Sequence, residues 1–478
     1  MYHKYEKIFS VILFILMCAG LGVLIYVGKY NHPTGDDYYY GADTVRVFRE
    51  TGSIVQTFKA AVEGVIYQYY NWQGTYSAML LMYLPPNIFG ENAYRLVTAV
   101  ILLLYAGCTF YALKPLLRDI LGMNRRGFCI CAASIVMLSV QTVQFAGESY
   151  FWYNGSMYYT GYFALTLFFL GLAFRFMIEP GRGYIPVLAL LAIFLAGGNY
   201  VSLLPCILIM FTAFAVLLLR HSGKALPIGV VTALMTGGLL VSAAAPGNMM
   251  REEQLWEMSA WKAVLKSIRQ GFIYTGAWTG IWWLITVLLI TPCLWNAYGR
   301  LEFRHPVIVV GYLFGIFCSM SCPTFYAMNS TGPARAVAVV YYGFIFLSLA
   351  AYAYVLGALH GRFASHAGGS PGFWAAGLSA IIVLTAFQVF SGEIQECTGA
   401  KAIHIIISGE GVQYEKEYIE RLSVLEDDSI EDVVFKPYTV QPEMLYVGDF
   451  TDDINNENNI KAAQYFGKNS LMVDYADY

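Results

Sequence analysis

The sequence predicts an all-α polytopic membrane protein with about eleven transmembrane helices and a small α/β domain at the C-terminal end. Three observations lead to this fold class. First, 58% of the 478 residues are hydrophobic and only 13% are charged, against about 25% charged in soluble domains. Second, long apolar runs recur up to about residue 390. Third, Glu, Asp, Asn and Lys become frequent after residue 393, where apolar runs shorten.

The first apolar run, residues 8–27, follows His3, Lys4 and Lys7. It is long enough to cross a bilayer and no small-residue cleavage site follows it, so we interpret it as an anchor rather than a signal peptide. The other runs are near the about 17–25 residues that a spanning helix needs. They are residues 93–113, 127–145, 158–178, 183–198, 201–219, 226–244, 276–295, 306–322, 336–359 and 373–390.

Basic residues predict the orientation of these spans. Lys and Arg recur in alternate short connections: Lys4 and Lys7; Lys114, Arg118, Arg125 and Arg126; Arg175 and Arg182; Arg220 and Lys224; Arg300 and Arg304; and Arg362. Because cytoplasmic loops carry the excess of positive charge, the N-terminus is predicted to be cytoplasmic and the C-terminus extracytoplasmic. The long connections, residues 29–92 and 245–275, then lie on the outer face, and function is expected there.

The outer segments have predicted structure of their own. Apolar residues between Ile54 and Tyr69 recur at helical spacing, which predicts an amphipathic helix in the membrane interface. In the tail, the pattern predicts a helix at 411–425, a strand at 431–437, a helix at 458–467 and a last strand at 469–475. We therefore divide the chain into a transmembrane domain, residues 1–392, and an extracytoplasmic α/β domain, residues 393–478.

Charge and motif content exclude several function classes. The net charge of −3 gives no case for a nucleic-acid partner. The nine cysteines have no zinc or redox spacing and are interpreted as small apolar residues. The sequence contains no Gly-rich phosphate loop, and no metal-ligand cluster or Ser-His-Asp set can be placed in it.

The segment HPTGDDYYYGAD follows the first span and contains the adjacent carboxylates Asp36 and Asp37. A carboxylate at a membrane surface can act as a general base toward a hydroxyl group, or help to hold a divalent cation such as Mg²⁺ or Mn²⁺. The alternative is a solvated pair at a helix N-terminus. In both cases the carboxylates are expected to be exposed, so that replacement by Asn leaves folding nearly unchanged.

Further polar and aromatic residues occur on the predicted outer face. They are Trp72 and Tyr76 in NWQGTY; Glu148, Trp152 and Asn154 in GESYFWYNGSMYYT; Asn199 in GGNY; Asn248 and Arg251 in APGNMMR; and Arg335 in NSTGPARA. Aromatic rings and amides suit sugars, although Trp and Tyr also form ordinary interfacial belts. An external arginine is unexpected from topology, and its planar fork suits phosphate, although lipid head groups or the acidic tail could also attract it.

The segments DDYYYG, NWQGTY, GGNY, APGNMMR and PEMLYVGDFTDD are similar to those of an uncharacterised family of bacterial polytopic membrane proteins. The layout of that family resembles the GT-C class of glycosyltransferases, which take a sugar from a polyprenyl-phosphate-type carrier on the outer face. The resemblance implies a catalytic carboxylate at Asp36 or Asp37 and a phosphate contact at Arg251 or Arg335. The chain departs from the family pattern at Thr75, where an arginine is common; that role would then move to Arg46, Arg49 or Arg251.

Taken together, these features favour a membrane glycosyltransferase in a bacterial cell membrane. Its partners would be the lipid bilayer, a polyprenyl-phosphate-linked sugar and a glycan, lipid or protein acceptor of the cell envelope. Two alternatives stay open. One is a transporter or flippase for lipid-linked glycans, although the central parts of the spans are almost free of ionisable residues, which argues against proton coupling. The other is a non-catalytic envelope scaffold.

Overall fold

The computed structural model describes residues 2–181, 183–252, 258–299, 301–363 and 371–475, and 77% of the structure is helical. The part of the chain before the second apolar run contains α1 (Tyr2–Val27), α2 (Asp36–Thr51), α3 (Ile54–Asn71), α4 (Tyr76–Met82) and α5 (Glu91–Tyr94). Two 3₁₀ turns, Gly28–Tyr30 and Pro86–Phe89, lie between these helices.

The central part of the chain is a bundle of long helices joined by short turns. It consists of α6 (Val97–Lys114), α7 (Arg125–Gln141), α8 (Tyr153–Ser156), α9 (Tyr162–Ile178), α10 (Tyr184–Ala196), α11 (Tyr200–Leu219), α12 (Ala225–Ala243), α13 (Pro246–Glu252), α14 (Ala260–Trp278), α15 (Ile281–Ala297), α16 (Pro306–Ser319), α17 (Cys322–Met328), α18 (Ala334–Phe363) and α19 (Pro371–Phe390). Three π-helical turns, Pro115–Ile120, Gly147–Phe151 and Met157–Gly161, interrupt it.

Seven helical segments are long and apolar enough to cross a membrane, and an eighth is reached if α14 and α15, bent by 78°, count as one span. The seven are Glu6–Tyr30, Glu91–Ile120, Tyr153–Ile178, Tyr200–Leu219, Ala225–Ala243, Pro306–Met328 and Ala334–Arg362. They correspond to seven of the predicted runs, so the chain is a mostly α-helical, membrane-type protein. The count of about eleven stays a prediction.

Two of the predicted spans that fall outside this set form shorter helices than the sequence pattern indicated. The helix in the run 183–198 has 13 residues, whereas α19 covers the whole run 373–390 and has 20 residues. The run 127–145 becomes α7, which has 17 residues and opens on Arg125 and Arg126. A helix this short rises only about 26 Å, less than the about 30 Å hydrocarbon core of a bilayer.

The tail contains α20 (Thr398–Ser408), α21 (Glu410–Leu425), β1 (Asp432–Phe435), α22 (Glu457–Phe466) and β2 (Ser470–Val473), after a 3₁₀ turn at Glu393–Glu396. The two strands pair in parallel, with Asp432 opposite Ser470 and Phe435 opposite Val473. All four predicted tail elements are present. Helix α22 ends as expected at Gly467, whose φ of 71° favours glycine.

The tail packs against the loop that follows the first span. One apolar core joins residues of α2 to α22 and both strands: Tyr38, Ala42, Val45, Ile88, Leu425, Val433, Phe435, Ala462, Ala463, Tyr465, Leu471 and Val473. The sheet has only two strands, and a two-stranded sheet alone is marginally stable in water. The tail therefore depends on the first loop for its core, and it covers that loop in return.

Candidate functional site

Helix α2 begins at the predicted acidic pair. Gly35 precedes it with φ 49° and ψ −111°, a backbone conformation that residues with a side chain rarely adopt. Asp36 and Asp37 form the first turn, where negative charge interacts favourably with the helix dipole. Consecutive helical residues point about 100° apart, so the two carboxylates face different surroundings.

Asp37 is completely buried and accepts three hydrogen bonds. The Tyr94 hydroxyl donates to Oδ2 at 2.6 Å and the Thr34 backbone N–H at 3.0 Å, while the Asn154 backbone N–H donates to Oδ1 at 3.4 Å. Burial raises the pKa of Asp37 to about 7, although the bond from Tyr94 opposes this shift. The expectation of an exposed carboxylate is wrong here, because the residue faces the packed end of the helix bundle.

Asp36 is half-buried and has different surroundings. Burial raises the pKa of its carboxyl group, and the positive charge of Arg335 opposes that shift. Arg335 is the second residue of α18, so 299 positions along the chain separate two groups that interact through space. The charge of one of the two predicted arginines thus acts on one of the two predicted carboxylates.

Arg335 is held by three other side chains. Its Nη1 donates to Glu148 Oε2 at 2.9 Å, in a pair whose side chains are 28% and 26% exposed. The guanidinium carbon lies 5.0 Å from the Trp152 ring and 5.5 Å from the Tyr159 ring. Both distances are in the range of cation–π attraction. Glu148 and Tyr159 lie in π-helical turns, which occur frequently at functional sites.

Two polar groups beside this cluster have no hydrogen-bond partner among the described residues. They are both side-chain amide atoms of Asn154, which is 2% exposed, and the indole N–H of Trp152, which is 8% exposed. Buried polar groups are normally paired, so such groups call for an explanation. Glu148 also lines a cavity of about 130 Å³ together with Lys401 and Glu443 of the tail. The site therefore has unused hydrogen-bonding capacity and adjacent space.

The tail fixes the loop that carries the acidic pair. The Thr34 hydroxyl donates to the Gly448 carbonyl at 3.2 Å, and the hydroxyls of Tyr38 and Tyr418 lie 3.3 Å apart. The His32 ring stacks on Tyr418 at 3.8 Å between ring centroids. Burial lowers the pKa of His32 to about 3, so this ring is neutral at physiological pH.

A buried ion pair holds the tail segment that contacts this loop. Arg421 donates from Nη1 and Nη2 to the two carboxylate oxygens of Asp449, at 2.7 and 3.0 Å, and its guanidinium carbon lies 3.7 Å from the Tyr438 ring centroid. The two side chains of the pair are 10% and 3% exposed. Asp449 adjoins Gly448, so this pair supports the contact with Thr34.

Tyr94 and Tyr159 are part of the site and were absent from the sequence prediction. Tyr94 bridges two segments, since its hydroxyl donates to Asp37 and accepts from the Tyr153 backbone N–H at 2.9 Å. Neither residue has a local signal that separates it from the other 35 tyrosines of the chain. For Tyr159, the only available hint was the density of aromatic residues around Trp152.

The structure brings together Asp36, Asp37, Glu148, Trp152, Asn154 and Arg335. Four other predicted residues have structural tasks or positions elsewhere. Asn199 caps α11 by accepting from a backbone N–H at 2.8 Å, and Asn248 accepts from the Gly74 N–H at 3.2 Å. Tyr76 donates to a carbonyl of α10 at 2.7 Å, and Trp72 is 41% exposed directly after α3. Asn248 thereby joins the end of α12 to the segment after α3, and Tyr76 joins α4 to α10.

The remaining predicted arginines have other surroundings. Arg251 belongs to α13, but its side chain lies outside the described residues. Arg46 pairs with Asp43 at 2.7 Å on an exposed surface, and Arg49 donates to a backbone carbonyl of α22 at 3.2 Å. Thr75, where the resemblance led us to expect an arginine, is buried. Of the arginines that the sequence offered as phosphate contacts, Arg335 is the one whose charge acts on the acidic pair.

The donor set does not favour a metal held by the acidic pair. Within the described ranges, no group of three or more His, Cys, Asp and Glu side chains is arranged to hold a metal ion. Asp37 already accepts three hydrogen bonds, and Asp36 faces a cation. A divalent ion shared by both carboxylates does not fit these contacts.

Comparisons with known proteins assign no family. No protein family model matches the chain, and no curated protein matches it. Fold and composition define the class: a mostly α-helical protein with seven or eight candidate membrane spans and a cluster of charged and aromatic residues where α2 and α18 begin.

Proposed function

We propose that the protein is a GT-C-like membrane glycosyltransferase, which moves a sugar from a polyprenyl-phosphate-type donor to an acceptor of the cell envelope. The observation that carries the proposal is the cluster around Arg335, whose guanidinium contacts Glu148, Trp152 and Tyr159 and whose charge acts on Asp36. One half-buried carboxylate and one half-buried guanidinium act on each other from the first turns of two helices. Transfer of a sugar from a lipid phosphate needs these two groups, a base for the acceptor and a cation for the leaving phosphate.

In the proposed reaction, Asp36 accepts the proton of an acceptor hydroxyl group. The hydroxyl oxygen forms a bond to the anomeric carbon of the donor sugar, and the bond between that carbon and the phosphate oxygen breaks. The electron pair leaves with the phosphate, whose growing negative charge Arg335 stabilises. A single displacement of this kind inverts the anomeric centre. The raised pKa of Asp36 supports its role as base, because proton transfer is most efficient when the pKa is near the working pH.

Glu148, Trp152 and Tyr159 would position Arg335 before the donor binds. The contact with Glu148 uses one Nη atom of the guanidinium, and the two aromatic rings lie near its carbon atom. A phosphate can compete for the guanidinium because a fork of N–H donors matches two phosphate oxygens. The unpartnered amide of Asn154 and indole of Trp152 offer further hydrogen bonds, which suit the hydroxyl groups of a sugar.

The test is sugar transfer by membranes of a deletion host that carry each variant, with a polyprenyl-phosphate donor. We expect Asp36→Asn to reduce the rate about 10²–10⁴-fold, the range for loss of a general base. We expect Arg335→Gln to abolish donor use and Arg335→Lys to restore only part of it, because a lysine lacks the planar fork. Arg46→Gln is the matched control, since Arg46 lies on α2 in an exposed pair.

The pH profile gives a second readout for Asp36. The rate should rise with pH until this carboxyl group is deprotonated, and the rise should begin above the usual range of an aspartate because burial raises its pKa. Full transfer by Asp36→Asn would contradict the assignment of the base. Wild-type membranes that transfer no sugar from any polyprenyl-phosphate donor, while the protein is folded and abundant, would reject the transferase altogether.

A further inference from the structure

Helix α14 (Ala260–Trp278) is set apart from the neighbouring helices by its direction and surface. It follows the span α12 and the short α13, and it meets α15 at a bend of 78°. Because of this bend the two helices cannot both run along the membrane normal, and α14, which carries three basic residues whereas α15 carries no charged residue, is the one we place along the membrane plane. The surface of α14 divides into three sectors, which can be assigned at about 100° per residue.

The first sector consists of small residues and packs against the protein. Ala263, Ser267 and Gly271 recur every four residues and are buried. A Cβ atom at Gly271 would lie 2.5 Å from Cys318 Sγ, which shows how closely α14 approaches α16. Because this face is held by close packing, the other two sectors have a fixed orientation toward their surroundings.

The second sector is apolar and exposed. It carries Trp261, Leu265, Ile268 and Phe272, which are 68%, 48%, 40% and 65% exposed. These residues follow one another at intervals of four, three and four positions, so they form one stripe along the helix. A stripe of this kind on a helix between membrane spans has the hydrocarbon edge of the bilayer as its natural cover.

The third sector is basic. Lys262, Lys266 and Arg269 are exposed and project between the packed and the apolar sectors, and α14 contains no Asp or Glu. Lys266 donates to Asn329 Oδ1 at 2.6 Å. The charges thus lie beside the apolar stripe, as in helices that place an apolar face in lipid and a cationic face among head groups.

Helix α3 provides an internal comparison. It also exposes an apolar stripe, with Ile54 at 68%, Val55 at 79%, Phe58 at 49% and Ile66 at 54%. Its one cation, Lys59, has Glu63 at 3.8 Å one turn later. The two helices therefore share an apolar face, but only α14 combines it with a net positive charge.

We propose that α14 lies in the membrane interface and binds the phosphate groups of anionic phospholipids through Lys262 and Arg269. The ligand is the bilayer leaflet itself, recognised by the apolar stripe and the basic sector together. Each basic residue near an anionic surface is expected to contribute about a fivefold preference. The inference is independent of the transferase proposal, because it concerns neither Asp36 nor Arg335 and needs no reaction.

The experiment measures which lipids stay with the full-length protein. It is reconstituted in nanodiscs of equal parts phosphatidylglycerol and phosphatidylcholine, released into mild detergent, and its retained lipids are counted by native mass spectrometry. We expect several-fold enrichment of phosphatidylglycerol on the wild type and loss of most of it in the double variant Lys262→Gln, Arg269→Gln. The charge-conserving double variant Lys262→Arg, Arg269→Lys should keep the enrichment, which separates loss of charge from misfolding.

Two controls make the result specific to α14. Lys59→Gln on α3 should retain the enrichment, since Glu63 already accompanies that charge. Arg335→Gln should also retain it, because the proposed lipid lies elsewhere. Equal enrichment in the wild type and the Lys262→Gln, Arg269→Gln variant would overturn the inference. Loss of enrichment in Arg335→Gln alone would overturn it too, by assigning the anionic lipid to the candidate site.

Discussion

The two adjacent carboxylates of the acidic loop differ more in their surroundings than many residues far apart in the chain. Around Asp37, a hydroxyl and two backbone N–H groups satisfy the carboxylate. Around Asp36, a guanidinium acts from another helix, and two nearby side chains keep unpaired polar atoms. The comparison teaches that satisfied polar groups organise the loop, whereas incompletely satisfied ones are where a ligand would bind.

The largest effect on stability is expected on the tail that supports the Asp37 side. Arg421→Gln removes one partner of a buried, bidentate ion pair and leaves Asp449 unpaired, which costs about 3–5 kcal/mol. Hydrogen exchange in α21 and around Gly448 should increase and the melting temperature should fall. Lys416→Gln, which removes an exposed pair on the same helix, is the control and should change stability by less than about 1 kcal/mol. Equal hydrogen exchange in both variants would mean that the ion pair between Arg421 and Asp449 does not hold the acidic loop in place.

A smaller effect is expected at Asp37 itself. Asp37→Asn places an amide N–H₂ among hydrogen-bond donors, so at least one buried donor loses its acceptor at a cost of about 1–3 kcal/mol. The sign of the pH dependence follows from the raised pKa. The folded state holds the proton up to about pH 7 whereas the unfolded chain releases it near 3.8, so wild-type stability falls as the pH rises between these values.

This slope distinguishes Asp37 from its neighbour. It amounts to at most about 1.4 kcal/mol per pH unit and should be missing in Asp37→Asn, whose relative destabilisation is therefore greater at pH 5 than at pH 8. Thermal unfolding in detergent at several pH values measures it. An identical pH dependence in both proteins would show that Asp37 does not keep its proton in the folded state.

The smallest effect on stability is expected at Asp36. Asp36→Asn removes a half-buried charge without orphaning Arg335, which keeps Glu148 as its partner, so the free energy of unfolding should change by less than about 0.5 kcal/mol. The same thermal measurement tests this, beside the transfer assay. A loss of stability as large as that of Asp37→Asn would remove the contrast between the two carboxylates and weaken the assignment of Asp36 to chemistry.

Local signals made the helices and the tail predictable. Apolar runs located seven spans, and Gly467 marked the end of α22, because these features depend on residues close in sequence. The boundaries of α7 and α10 were overestimated, since apolar composition continues past the point where the helix ends. Composition alone does not report helix length.

The site was predictable by residue type but not by contact. The sequence supplied Asp36 and Arg335 as candidates, but their interaction depends on how helices far apart in the chain are arranged, which local patterns do not report. Asn199 and Asn248 were predicted as ligand groups, and in the structure their side chains accept hydrogen bonds from backbone N–H groups. An asparagine can serve either purpose, because the same side-chain amide can cap a helix or form hydrogen bonds with a sugar.

The contacts between the tail and the acidic loop also set an order of events. Thr34 and Gly448 are 414 residues apart, and Tyr38 and Tyr418 are 380 apart. At about 5–20 residues per second, synthesis separates the two partners by tens of seconds. The acidic loop therefore lacks its contacts with the tail until nearly the whole chain has been synthesised. Its final shape is a late product of biogenesis, and chains that end before the tail carry the acidic pair without the contacts that orient it.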